Sequence, residues 1–126
     1  MTIRLDYETV RDTTIRLVQA KPDYVYRSDH AKCVYAEHTV DGGWVPSCLV
    51  GQVFAEMGMP VAVLATLDTD IVTVLDRLQT EEEIEMGDDH EAVELFLMTA
   101  QEVQDGDGRT WGDALKWALS RTGDEL

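Results

Sequence analysis

Four side chains of types that bind zinc occur in one stretch of the sequence: His30, Cys33, His38 and Cys48. Zinc prefers nitrogen and sulfur ligands in a tetrahedral arrangement, and structural zinc sites usually take them in close pairs from a tight turn. Here two, four and nine residues separate successive members, and no such paired turn is present. Burial of Cys33 and Cys48 as small apolar side chains is the competing interpretation. We therefore expect no resident metal and no other cofactor.

A cysteine-based reaction is a second way to use these residues. Cys48 lies where a helix is predicted to begin, and a helix N-terminus favours the thiolate form of a cysteine. His30 or His38 would be the base that activates it. No protease, transferase, P-loop, G-x-G-x-x-G or G-x-S-x-G motif accompanies them. An enzyme is thus the least favoured class, and pairing of Cys33 with Cys48 under oxidation is a further alternative.

The segment that begins Asp105-Gly-Asp107-Gly resembles the start of a calcium-binding EF-hand loop. Such a loop needs an oxygen ligand at its fifth position, a glycine at its sixth and an acidic residue at its twelfth. Those positions hold Arg109, Thr110 and Lys116. The segment therefore predicts a tight turn between two helices and no calcium site.

Four aromatic residues are candidates for contact with a partner: Tyr24, Tyr26, Trp44 and Trp117. Trp117 lies off the apolar stripe of its predicted helix by about a third of a turn, at 3.6 residues per turn. Aromatic anchors in a charged surround are typical of protein interfaces. The alternative is that all four are core or rim residues.

The chain carries a net charge of −15, and its acidic residues are concentrated in the C-terminal half. Residues 68–126 contain 17 acidic and 4 basic residues, including the run Glu81, Glu82 and Glu83. Such a surface repels phosphate backbones and anionic membranes, so we expect no direct nucleic-acid or membrane contact. It attracts a protein with a basic surface. Two alternatives remain open, namely solubility alone and mimicry of DNA by rows of carboxylates.

The length and composition indicate one domain, residues 1–126. The lack of a secretory signal, described below, predicts the cytoplasm. An apolar content of 44% is enough to form a core, and no apolar run approaches the ~20 residues of a membrane span. The first residues lack the basic start and apolar block of a secretory signal. Two cysteines are too few for a disulfide scaffold.

Hydrophobic periodicity predicts a mainly α, compact helical domain of about five helices with one small two-stranded β-hairpin. The hairpin combines strands at 32–36 and 44–45 around the turn Asp41-Gly42-Gly43. The helices are predicted at 6–20, at 46–57 as the core helix, at 60–64 as a short turn, and at 71–78, 89–104 and 111–122.

Capping patterns accompany most of these helices. We expect Asp6 and Asp70 to cap their helices singly, and we expect capping pairs at Asp88/Glu91 and Thr110/Asp113. Thr80 with Glu83 is either a further pair or part of a solvated loop. Homo-oligomerisation is compatible with every functional class.

Three of these segments together resemble a family of small proteins encoded by bacteriophages of actinobacteria. They are the cysteine-aromatic strand at 33–35, the helix start PSCLVG at 46–51 and the closing AQEVQDGDGRTWGDAL at 100–115. The resemblance implies an accessory protein in the host cytoplasm, and it implies no reaction and no site residues. Together with the aromatic residues and the acidity, it favours a non-enzymatic protein that binds a host or phage protein.

Overall fold

Helices dominate the computed structural model of the chain, which describes residues 2–26, 35–106 and 108–124. Its helices in this part of the chain are α1 (Tyr7–Ala20), α2 (Leu49–Glu56), α3 (Val61–Leu64), α4 (Ile71–Thr80), α5 (His90–Gln104) and α6 (Trp111–Arg121). Its strands are β1 (Ile3–Leu5), β2 (Ala36–His38), β3 (Trp44–Pro46) and β4 (Ile84–Met86). The mainly α prediction is confirmed, whereas the count of five helices and one hairpin is only approximate.

The two extra features are the short helix α3, which was predicted only as a turn of helix, and a parallel pair of strands. Strand β1 pairs with β4 in the register Ile3 to Ile84 and Leu5 to Met86. Each strand has three residues, which is too short for a convincing alternation of apolar and polar residues. The pairing joins segments far apart in sequence, so no local pattern predicts it.

The predicted hairpin is present as the antiparallel pair β2 and β3, in which His38 lies opposite Trp44. Its turn is closed by hydrogen bonds from the Thr39 amide to the Gly43 carbonyl and from the Gly42 amide to the Thr39 carbonyl. Gly42 has a φ of +87°, which glycine adopts at no steric cost. Strand β2 lies further along the chain than predicted, and residues 32–34 of the prediction lie outside the described residues.

Helix α2 is central, as predicted, but it begins at Leu49 and not at Pro46. Pro46 instead ends strand β3, and Cys48 is the N-cap residue. A Cβ atom at Gly51 would lie 2.2 Å from the carbonyl oxygen of Tyr35. Glycine at this position therefore allows the helix to pack directly against the backbone that leads into β2.

Helix α5 supplies caps to two other helices. The Asp89 carboxylate, at the start of α5, accepts a hydrogen bond of 2.8 Å from the first amide of α1, that of Tyr7. The Gln104 side chain, at its end, accepts one of 2.7 Å from the Leu49 amide, the first of α2. The cap expected from Asp6 is absent because the Asp6 carboxylate binds Arg4 instead, at 2.9 Å.

Two of the predicted local caps are confirmed, the open alternative at Thr80 is decided in favour of the loop, and one pair is wrong in addition to the Asp6 cap. Asp70 accepts from the Thr73 amide, and Thr110 and Asp113 form a reciprocal capping box. Thr80 is the last residue of α4, so the run after it is a turn and not a helix start. The Asp88/Glu91 pair is wrong as well, because the N-cap of α5 is Asp89 and its side chain makes no cap bond to its own helix.

The core lies between α1, α2, α4, α5 and α6, and most residues of their apolar stripes are buried. Helices α5 and α6 pack closely against each other across a short turn, as predicted for the last two helices. Within the described ranges, no helix has both the length and the apolar character that a membrane crossing requires.

Candidate functional site

The two described zinc candidates lie apart. Ala36 pairs with Pro46, and His38 and Cys48 are displaced from this pair in opposite directions along the hairpin. At a rise of about 3.3 Å per residue, their backbones are roughly 13 Å apart, too far to share one metal ion. Among the described residues, no three histidine, cysteine or acidic side chains form a metal-binding group. His30 and Cys33 lie outside the described residues.

Cys48 is completely buried. Its sulfur accepts a hydrogen bond of 3.4 Å from the Gly51 amide, so it acts as part of the N-terminal cap of α2. A buried sulfur in this role does not reach a substrate in this conformation. The pairing of Cys33 with Cys48 is a prediction that lies partly outside the described residues.

The segment between α5 and α6 is a tight turn in its described residues. Asp105 is the C-cap of α5, and its carboxylate accepts a hydrogen bond of 2.9 Å from the Gln104 side chain. Gly108 has a φ of +72°. Asp107, the second acidic residue of the calcium hypothesis, lies outside the described residues. This geometry agrees with the turn that the sequence predicts.

Two polar clusters inside the fold connect elements to each other, and neither was predicted. The buried Gln101 side chain donates to the Tyr35 hydroxyl at 2.7 Å, and that hydroxyl donates to the Thr69 carbonyl at 2.9 Å. The Tyr7 hydroxyl contacts Thr122 and Asp124, which follow α6. Burial raises the pKa of Tyr7. Both clusters hold helices together and present no accessible nucleophile.

The hairpin exposes apolar side chains at its tip and on both faces, with Trp44 beside His38 on one face and Val45 beside Glu37 on the other. We call His38, Val40, Trp44 and Val45 the hairpin surface. Trp44 is 39% and Val45 40% exposed, and Val40 is fully exposed at the turn. The rings of His38 and Trp44 pack with centroids 3.9 Å apart. Glu37, opposite Val45, adds a carboxylate to the same hairpin. Trp44 was predicted as a contact residue; the two valines were missed because single valines in a short strand do not reveal their exposure.

A second exposed aromatic residue is Trp117 on the outer side of α6, where it is 50% exposed. The chain after α1 packs onto the start of α6, because the Trp111 and Gly112 amides donate to the Tyr24 and Pro22 carbonyls. Tyr24 is exposed at this junction, and its ring meets that of Trp111 edge to face at 4.7 Å. The prediction that Trp117 lies off the apolar stripe is therefore confirmed.

Basic side chains occur on the segments that meet at α6. Among the described residues, four lysines and arginines make no ion pair, and all four belong to the segments that meet at α6: Lys21, Arg109, Lys116 and Arg121. The ammonium group of Lys21 lies 5.3 Å from the centre of the Tyr24 ring. We call these four residues with Tyr24 and Trp117 the α6 surface. The sequence contained this information, since three of the four bases after residue 68 fall between 109 and 121.

Tyr26 differs from the other aromatic candidates. Its side chain is half-buried, and its hydroxyl lies 2.9 Å from the Ser47 hydroxyl, next to the start of α2. This contact ties the chain after α1 to the core. The expectation that Tyr26 is an exposed anchor is therefore not supported by its position.

The acidic run is a turn between α4 and β4. Glu81 binds Arg77 at 3.0 Å, and Glu82 adopts a φ of +60° that reverses the chain. Next to it is a shallow groove of about 400 Å³, which we call the β4 groove, lined by Thr2, Gln79, Glu82, Ile84, Glu85 and Met86. A second groove of about 330 Å³ lies between α1 and α2, and Glu56 on its wall binds Arg16 at 3.5 Å.

No protein-family model, curated protein or solved structure matches this chain.

Proposed function

We propose that the protein is a non-enzymatic binding protein that contacts another protein through the hairpin surface. The observation that carries this proposal is the exposure of a tryptophan and two valines on one small hairpin. Scattered single apolar side chains are normal on a protein surface, so the proposal depends chiefly on the exposed Trp44 that packs on His38. Tryptophan is also among the residues that most often dominate the energy of an interface.

The backbone of the hairpin supports this role because its turn is held by several hydrogen bonds. The Thr39 hydroxyl accepts from the Gly43 amide at 3.0 Å and donates to the Asp41 carboxylate. The second of these bonds lowers the pKa of Asp41. An ordered turn presents Val40 and Trp44 at little entropic cost, which favours binding.

Charge supports a partner with a basic rim around an apolar pocket. Glu37 and Asp41 lie beside the apolar side chains, and the chain as a whole carries −15. Complementary charge speeds the encounter of two proteins and excludes wrong partners. The resemblance to actinobacteriophage proteins favours a host or phage protein as the partner and the host cytoplasm as the setting.

DNA mimicry is a special case of this proposal, since DNA-binding proteins also have basic surfaces. The run Glu81 to Glu94 is where rows of carboxylates were predicted. Its first three residues do not favour mimicry, because they occupy a turn and Glu81 is engaged by Arg77. Competition with duplex DNA for a captured partner distinguishes the two. A mimic is displaced by DNA at moderate salt, whereas binding through the hairpin surface to another site is not.

The test is affinity capture from an actinobacterial host lysate with the wild-type chain and matched valine variants. Val45 and Val72 are 40% and 41% exposed, on the hairpin and on α4 respectively. We expect Val45→Ala and Trp44→Ala to lose a captured basic protein, and Val72→Ala to retain it. Loss of the partner with Trp117→Ala but not with Trp44→Ala would move the interface to α6 and overturn the proposal.

A further inference from the structure

The hydrogen-bond pattern of the hairpin directs part of its backbone away from the molecule. Bonds from the Ser47 amide to the Tyr35 carbonyl and from the Thr39 amide to the Gly43 carbonyl fix the alternation of the pair. In an antiparallel pair every second residue bonds to the opposite strand, and the residue between directs its amide and carbonyl outward. His38 is such a residue, so its amide and carbonyl lie on the outer edge of β2.

Of the two edges of this sheet, that of β2 is the more open in the described part of the chain. On β3, the outward position at Pro46 has no amide hydrogen to donate, and α3 packs against that strand. Among the described elements, β2 has extensive contacts only with β3, and no third strand pairs with either. Glu37 and His38 are exposed, whereas Ala36 is buried. The open edge is therefore short and centred on His38.

An unpaired strand edge is a template on which another extended chain can add as a further strand. An antiparallel strand beside β2 exchanges two hydrogen bonds with His38. The added residue opposite His38 directs its side chain to the face that carries His38 and Trp44. The residues before and after it point to the opposite face, where Glu37 lies.

The side chains beside this edge determine which sequence fits it. On one face the rings of His38 and Trp44 pack with centroids 3.9 Å apart, so an apolar side chain is favoured there. On the other face the Glu37 carboxylate makes no ion pair with any residue that the structure describes. Cross-strand pairs of opposite charge stabilise a sheet, so lysine or arginine is favoured there.

We infer that the partner binds through an extended segment of alternating apolar and basic residues, which adds to the outer edge of β2. This inference rests on the proposed function, because it names how a basic protein engages the hairpin surface. Main-chain bonds to His38 set the register of the added strand. Because the edge is short, Trp44 and Glu37 supply most of the specificity.

Synthetic peptides test the inference by fluorescence anisotropy. The probe is a peptide of about six residues, the usual length of a strand, in which arginine alternates with valine. Its control has the same composition with all arginines first. At an ionic strength of about 0.15 M the Debye length is about 8 Å, so long-range attraction of both peptides is screened. We expect the alternating peptide to bind about tenfold more tightly, the effect of one or two hydrogen bonds.

Variants of the protein separate the two faces of the edge. Trp44→Ala removes the apolar face and Glu37→Lys reverses the charge of the other, and each is expected to weaken the alternating peptide about tenfold. Glu102 is exposed on α5, and Glu102→Lys changes the net charge by the same amount. This control should bind as the wild type does. Circular dichroism verifies that every variant is folded.

N-methylation of the peptide tests the main-chain bonds with the protein unaltered. Successive amides of an extended strand point to opposite edges, so methyl groups on one alternate set block pairing with β2 and those on the other set do not. We expect one methylated peptide to lose binding and the other to retain it. Hydrogen exchange followed by NMR should show slower exchange of the His38 amide in the complex and little change at Glu37.

Three results would overturn the inference: equal binding of the alternating and control peptides, equal effects of the two methylation patterns, or an unchanged His38 amide. Capture from lysate that still depends on Trp44 would then leave the proposed function in place, with a folded surface as the partner. Absence of such capture would remove the proposed function itself, so the two failures are distinguishable.

Discussion

Gly51 is the residue of α2 at which the packing is least tolerant of a larger side chain. A methyl group there would lie 2.2 Å from a backbone oxygen, that of Tyr35, and a backbone atom cannot rotate away as a side chain does. Alanine is normally the better helix former by about 1 kcal/mol. At this position the steric conflict outweighs that gain, because either the helix or the strand must shift.

We therefore predict that Gly51→Ala lowers the free energy of unfolding by about 1–3 kcal/mol, the usual cost of overpacking, or more. Urea unfolding followed by circular dichroism measures it. The control is Glu56→Ala in the same helix, whose exposed side chain should change stability by no more than about 0.5 kcal/mol. Equal stability of Gly51→Ala and the wild type would show that α2 does not approach Tyr35 this closely.

Gln104 is the second residue with a specific prediction, because its side chain accepts the hydrogen bond of the Leu49 amide. Gln104→Met keeps the volume and removes the acceptor, which leaves a buried amide without a partner at a cost of about 1–3 kcal/mol. The same substitution at the exposed Gln19 is the control and should be nearly neutral. If both variants unfold at the same urea concentration, the cap from α5 does not contribute to stability.

At the scale of elements, sequence patterns correctly predicted those features that depend on a single segment, namely the buried face of a helix and its local caps. The apolar stripe of α4 (Ile71, Val74, Leu75 and Leu78) is buried as its spacing predicts, and the caps at Asp70 and at Thr110/Asp113 are formed. Caps contributed by another helix, such as Asp89 to α1, follow from tertiary packing and leave no trace in the capped segment. The parallel pairing of β1 with β4 is of the same kind.

The same reasoning explains which parts of the candidate sites were predictable. The exposure of Trp117 follows from its position outside a helical stripe. The position of Lys21 and Tyr24 at the start of α6 does not follow from a local pattern, because it depends on the packing of the chain after α1. Likewise the register of the hairpin is needed to place His38 beside Trp44 on one face and Glu37 beside Val45 on the other.

The capping carboxylates give a prediction at the level of elements for acid unfolding. The Thr73 amide lowers the pKa of Asp70, and the Thr110 amide lowers the pKa of Asp113. A lowered pKa in the folded state stabilises the protein above the unfolded value, about 3.9 for aspartate. That stabilisation is lost as the pH falls through the folded value. The double variant Asp70→Asn, Asp113→Asn retains capping side chains that do not titrate.

We expect this double variant to melt at nearly the wild-type temperature at pH 7 and to lose less stability than the wild type below about pH 4. Thermal unfolding followed by circular dichroism between pH 7 and pH 3 measures it. Melting temperatures of the wild type and the variant that fall in parallel as the pH is lowered would contradict this prediction.

At the scale of the whole molecule, the charge of −15 opposes folding through self-repulsion. Protonation of a fraction of the 25 acidic residues relieves it as the pH approaches the isoelectric point of about 4.3. We expect the melting temperature to rise between pH 7 and pH 5 before the loss of the caps lowers it. Added salt at pH 7 should also raise the melting temperature, because it screens the same repulsion. A melting temperature that falls steadily from pH 7 would contradict this.

The molecule therefore presents two chemically different surfaces, an apolar hairpin with acidic neighbours and a cationic helix with an exposed tryptophan. This division is consistent with the proposal that the hairpin binds a basic protein partner. It also separates tests of the two surfaces, because Val45 and Trp117 are exposed on different elements and substitution of one leaves the other in place.

The most direct test of the central claim is photo-crosslinking from the tip of the hairpin in an actinobacterial host lysate. A photoreactive phenylalanine analogue replaces Val40 in one variant and Val72 in another. We predict that the Val40 position captures one basic protein, that excess wild type but not excess Trp44→Ala suppresses the capture, and that the Val72 position captures none of it. Equal capture from both positions, or none from Val40, would contradict the assignment of the hairpin as the binding surface.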